Sequence, residues 1–165
     1  MRRLLLPLLL LAALPASAAV TGTVVTGDGD PLAGARVRAF AREPFSAVAA
    51  RLLSSTPEAT PIATTETAAD GRFSLDTKGN AAIDIVVDAA GREPYALYAA
   101  GGEDVGAIPL ASAGKGRRIR VKGADGKPLA NALVYLGHAL LARTDADGKF
   151  ARAFTGEAAF IIHPD

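Results

Sequence analysis

The chain has 165 residues, half of them hydrophobic, with 18 basic against 17 acidic side chains. That length suits one domain or two small ones and suffices to bury a core, which excludes a wholly disordered tail, and the near-zero net charge lacks the basic face of a nucleic-acid binder. With no cysteine, no Trp and only His138 and His163, thiolate chemistry, disulfides, Fe–S clusters, zinc fingers and a broad stacking platform are also removed.

Met1-Arg2-Arg3 is a short basic start, and Leu4–Leu14 is an apolar run of 11 residues. Pro15 and the small residues Ala16-Ser17-Ala18 follow, the layout of a secretory signal peptide cleaved after Ala18. The run is shorter than the about 20 residues that cross a bilayer, which favours a cleaved leader over a membrane anchor. Removing Arg2 and Arg3 leaves 16 basic against 17 acidic residues, a net charge of −1 for the mature chain. No later apolar run approaches spanning length. The mature chain is therefore expected to be exported without a transmembrane segment, to the periplasm, the outer membrane or the medium. Thirteen Arg against five Lys, with 36 Ala, fit a GC-rich bacterial genome.

From Val20 to Val25 the chain alternates as a strand does, then enters the turn cluster Gly27-Asp-Gly-Asp-Pro31. Ala35-Arg-Val-Arg-Ala-Phe40 is a second period-two strand, half buried. Residues 41–63 break the pattern. Phe45, Val48, Ala49, Leu52 and Leu53 fall at helical spacing behind Pro44, and Ser54-Ser-Thr-Pro57 would end the segment. One amphipathic helix of about ten residues is predicted there, too short to stand alone and so docked as a lid over one end of the sandwich, or else exposed as a partner-binding helix. Asp70-Gly71 reads as a tight hairpin turn between two short runs. Ile83–Val87, Tyr95–Tyr98 and Val105–Leu110 complete about seven strands, enough for a two-sheet sandwich. Ala-rich strands are poor by propensity, so packing must fix them.

The chain then repeats itself. Asp28-Gly-Asp-Pro-Leu-Ala-Gly-Ala-Arg-Val37 matches Asp125-Gly-Lys-Pro-Leu-Ala-Asn-Ala-Leu-Val134 at an offset of 97, with seven of ten positions identical. Thr67-Ala-Ala-Asp-Gly-Arg-Phe73 matches Thr144-Asp-Ala-Asp-Gly-Lys-Phe150 at an offset of 77, which continues through Ala81-Ala82-Ile83 against Ala158-Ala159-Phe160. The difference is the 20-residue insertion of the first copy. The expected organisation is a signal peptide over 1–18, a first β-sandwich over 19–112 with the insertion at 41–63, a linker over 113–117, and a second, truncated sandwich over 118–165. Asp165 aligns with Asp88, so the second copy lacks counterparts of residues 89–110 and would leave an open edge and an uncovered core face. The simplest expectation is the front of a longer protein; a chain ending at Asp165 would instead be a small self-associating binding protein.

The motifs Gly22-Thr-Val24, Asp28–Val37 and Thr67-Ala-Ala-Asp-Gly-Arg-Phe-Ser-Leu75, with Val105–Leu110 as closing strand, resemble the carboxypeptidase regulatory-like domain. The resemblance covers nearly the whole mature chain, twice. It implies an all-β fold: tandem prealbumin-like (transthyretin-like), Ig-like Greek-key β-sandwiches of the carbohydrate-binding-like group, the second incomplete and the first carrying one short helix.

Chemistry-bearing patterns are sparse. No H-E-x-x-H or G-x-S-x-G occurs, and Gly114-Lys115-Gly116 lacks the rest of a phosphate loop. The Tyr-Arg-Gly-Ser of the purine-pathway hydrolase that shares the fold is absent, and the first copy has no Lys before Lys78 for a self-crosslink. Asp28-Gly-Asp30 and Asp145-Ala-Asp-Gly148 have the spacing of a calcium loop without its remaining ligands. Tyr95 and Tyr98, three apart on a strand, fall on opposite faces and form no sugar-binding pair. The sequence therefore assigns no catalytic, cofactor-binding or metal residue, and no cofactor. The expected function is a non-enzymatic structural or binding module, with downstream domains, an envelope protein or a glycan as partner. The alternatives are the N-terminal extension of a TonB-dependent outer-membrane receptor and the accessory domain of a secreted peptidase or carbohydrate-active enzyme.

Overall fold

The computed structural model describes residues 19–52, 54, 59–114, 119–136, 139–150, 155–156 and 159–162. The leader at 1–18, His138, His163, the helix stop at 55–57 and Lys115–Arg117 of the linker lie outside the described residues.

Seven strands build the first repeat: β1 (Ala19–Thr26), β2 (Arg36–Ala41), β3 (Ala63–Glu66), β4 (Arg72–Asp76), β5 (Ala82–Asp88), β6 (Tyr95–Ala100) and β7 (Asp104–Leu110). They form two sheets, one ordered β4-β1-β7 and one whose first-repeat strands run β6-β5-β2-β3. Most neighbours are antiparallel, whereas β7 returns parallel to β1 with Val24 opposite Ile108. Alternation explains the core: Val20 and Val24 of β1 and Phe73 and Leu75 of β4 face Val37, Ile83, Ile85 and Val87 of the other sheet, all buried in one cluster. The fold is an all-β sandwich with one short helix, as the sequence predicts.

One local expectation changes. Asp70-Gly71 is a tight turn but not a hairpin, because β3 pairs with β2 while β4 pairs with β1. The turn carries the chain from one sheet to the other, and Gly71 supplies its φ of 76°. The inserted helix, α1 (Phe45–Leu52), begins behind Pro44, whose carbonyl accepts the amides of Ala47 and Val48 at 3.0 and 3.1 Å. Arg51 in its last turn donates from Nε and Nη2 to Glu43 Oε2 at 3.1 and 3.0 Å. After the helix, Ala59 packs against one apolar cluster and Ile62 against the other. The side chains of Phe45, Ala49, Leu52 and Leu53, which would make the apolar stripe of a lid, lie outside the described residues.

The second repeat contributes β8 (Leu133–Leu136), β9 (Ala139–Arg143), β10 (Thr155–Gly156) and β11 (Ala159–Ile162). Its sheet runs β11-β8-β9, which copies β5-β2-β3. Leu133 opposite Arg143 reproduces Arg36 opposite Glu66 under the two offsets. The other side does not follow. Ala39 faces Ile85, so the offsets place Leu136 against Ile162, but Leu136 faces Ala159, a displacement of three residues. The strand-level match at offset 77 thus stops short of β11.

An apolar face of the second repeat packs on the first repeat. Val134, Leu136 and Phe150 of the second repeat pack with Phe40, Val86 and Ala96 on the outward face of the first repeat's larger sheet. β10 joins that same sheet, parallel to β6, with Thr155 opposite Tyr95 and Gly156 opposite Ala96.

Candidate functional site

The repeated motif carries a polar constellation that occurs twice with the same bonds. Thr67 is buried; its Oγ1 accepts the Ala35 amide at 2.9 Å and donates to the Leu32 carbonyl at 2.6 Å. Thr144 is buried in the same way, with Oγ1 accepting from Ala132 N at 2.9 Å and donating to Leu129 O at 2.6 Å. Around each Thr the backbone closes a second ring. Val24 N donates to Gly71 O at 2.8 Å and Leu32 N to Val24 O at 2.9 Å; Val121 N donates to Gly148 O at 2.7 Å and Leu129 N to Val121 O at 3.1 Å. The left-handed corner is Gly34 in one copy and Asn131 in the other, with φ of 69° and 59°. A Cβ on Gly71 or Gly148 would collide with the carbonyl of Val24 or Val121. The Pro-Leu-Ala-Gly/Asn-Ala and Thr-x-x-Asp-Gly-x-Phe signatures thus hold two loops to one strand.

The acidic turns are held by side-chain acceptors in a similar manner. Thr26 Oγ1 accepts the amides of Asp28 and Asp30 at 3.3 and 3.2 Å, organising the first acidic turn. Asp145 Oδ1 accepts the amides of Asp147 and Lys149 at 2.9 Å each, while Asp147 and Asp125 pair with Lys149 and Lys127, both at 3.2 Å. Among the described residues no three His, Asp or Glu side chains gather as a metal site would require. Gly114 lies within the expected linker, and its amide donates to Oε1 of Glu93.

Tyr95 and Tyr98 do fall on opposite faces. Tyr95 packs against the first core, whereas Tyr98 is 46% exposed with the Arg42 guanidinium 4.8 Å above its ring. The two Arg-Glu-Pro triplets, at 42–44 and 92–94, have a shared use that spacing alone does not disclose. In each, the Pro precedes an element and the Glu makes a tie: Glu43 to Arg51 of α1, and buried Glu93, in the loop before β6, to Gly114 beyond β7.

Sequence reasoning missed one surface, the outward patch of Phe40, Val86 and Ala96. Its signal is present. Phe40 occupies a solvent-phase position after Arg36 and Arg38, and Ile85-Val86-Val87 is apolar on both phases, which marks a strand buried on both faces. Arg38 and Asp88 border the patch with an ion pair at 2.8 Å.

No family model matches the chain, and no curated protein matches it. Among solved structures, the Bacillus anthracis TIE protein is similar over 88% of this chain and 26% of its own, at 14% identity and a TM-score of 0.35. The Streptococcal ancillary pilin is similar over 90% of this chain and 59% of its own, at 13% identity and a TM-score of 0.34. The chain therefore spans 26% and 59% of those two proteins. Among the described residues no helix is long and apolar enough to cross a membrane.

Proposed function

We propose that the chain is a non-enzymatic, exported module of a larger bacterial envelope or secreted protein, built from two carboxypeptidase regulatory-like sandwiches that act as scaffold or binding arm. One observation carries this reading. The residues that recur between the repeats, Thr67 with Thr144 and Gly71 with Gly148, are consumed in holding turns to strands. A repeated motif whose buried hydroxyls serve the scaffold leaves function to the surfaces it positions. The seven-strand first repeat, with its final strand returning parallel to the first, also supports the family reading.

Export is tested by expressing the chain from Met1 in a bacterial host and sequencing the N-terminus of the fractionated protein. A periplasmic or secreted product beginning at Ala19 is the expected outcome; a membrane-retained product that still begins at Met1 would overturn it. Calorimetric titration of that mature product with a panel of envelope glycans addresses the ligand class. Heat with one of them assigns a carbohydrate partner, and no heat with any leaves a protein partner.

A further inference from the structure

The two repeats close their cores in different ways. In the first, Val37, Ala39 and Phe73 share a cluster with Ile108 and Leu110 of the closing strand β7, and this cluster contains no second-repeat residue. In the second, their counterparts Val134, Leu136 and Phe150 share a cluster with Phe40, Val86 and Ala96 of the first repeat. The second repeat's own β1 and β4 counterparts are joined, among the described residues, by the bridge of Arg120 with Lys149. Its short strand β10 pairs with the edge of β6.

We propose that the outward face of β2, β5 and β6 is a docking surface on which the second repeat folds, and that this repeat will fold on whichever first repeat it reaches, its own or that of a second copy of the chain. The physical reason is the asymmetry of the cores. Without Phe40, Val86 and Ala96, the apolar side chains Val134, Leu136 and Phe150 keep Ile119 and Ala142 as the cluster neighbours from their own repeat, among the described residues, and so small a sheet with so thin a cover is marginal alone. The first repeat merely exposes a patch when the contact opens. The contact consists of side-chain packing and a two-residue strand pairing, both of which every copy carries in full. A short tether supplies an effective concentration near millimolar, so a single chain docks on itself and a second copy takes over when the internal site is blocked.

Two full-length variants test this by amide exchange. Phe40→Asp spoils the surface, and Leu136→Asp spoils the repeat that sits on it. In Leu136→Asp, exchange at Leu133–Leu136 and Ala139–Arg143 should accelerate by about a hundredfold or more while Ala82–Asp88 stays protected. Equal loss in both repeats, or no loss in either, overturns the dependence. Phe40→Asp should give the same pattern from the other side of the contact. The two variants are then mixed at near-millimolar concentration with only Phe40→Asp isotope-labelled. Its intact second repeat can dock on the intact face of the Leu136→Asp chain, so its β8 amides should regain protection and a one-to-one complex should sediment. No complex and no regained protection would overturn docking on a second copy.

Discussion

Thr67 and Thr144 hold the same place in two halves of a chain that share few other polar side chains. Each hydroxyl satisfies one buried amide and one carbonyl of a loop that belongs to neither adjoining strand. Thr67→Val keeps the shape but leaves Ala35 N and Leu32 O without their partner, and orphaned buried groups cost about 1–3 kcal/mol each. Urea unfolding followed by amide exchange in β5 should therefore show a loss of about 2–4 kcal/mol for Thr67→Val. Thr67→Ser, which keeps the oxygen, should recover most of it. Equal behaviour of the two variants would mean that the methyl group and not the hydroxyl holds the loop. The clamp was only half legible in the sequence. The repeat marks Thr67, but any Thr before a turn looks like a solvated capping residue, and its burial depends on strands 32 residues away.

At the scale of elements, patterns with a local cause were legible and pairings with a distant cause were not. The alternation in β1 and β2 and the start of α1 behind Pro44 follow from neighbours in sequence. Whether the runs flanking Asp70-Gly71 pair with each other depends on which sheet each joins. Both lie next to partners closer to the start of the chain, β1 and β2. The register of β11 has the same character: the match at offset 77 reaches Ala159 and Phe160, yet the pairing with β8 is displaced by three residues. Glu93 offers a test of a tie between elements. It is buried, and Oε1 accepts the Gly114 amide, fastening the segment after β7 to the loop before β6. Glu93→Ala should speed exchange of the Gly114 amide by about 10- to 100-fold and cost about 1–3 kcal/mol, while Glu93→Gln, which keeps an acceptor, should restore most of the protection. Unchanged exchange in Glu93→Ala would show that the segment is held by its strand pairing to Arg92 alone.

For the whole molecule, the two sheets of one repeat and the strands of the other share a hierarchy that no single element reveals. Phe73 and Phe150 occupy equivalent motif positions and are equally buried, yet they belong to different clusters. A Phe-to-Ala truncation in a core costs about 3–5 kcal/mol wherever it is made. Its reach should differ between these two sites. Phe73→Ala weakens the sandwich that supplies the docking face, so exchange should accelerate in β5 and in β8 together. Phe150→Ala weakens only the docked repeat, so β8 and β9 should lose protection while β5 keeps it. Calorimetry should report the same hierarchy: Phe73→Ala lowers the whole transition, and Phe150→Ala splits an early, smaller one from it. Matched effects of the two truncations would show two sandwiches that stand or fall as one cooperative unit. The sequence could not announce this hierarchy, because it depends on Phe40, Val86 and Ala96 lying on the outward face of a sheet already complete on its inward side. What the sequence did carry was the break in alternation at Phe40 and Val86, the mark of a face meant to be covered.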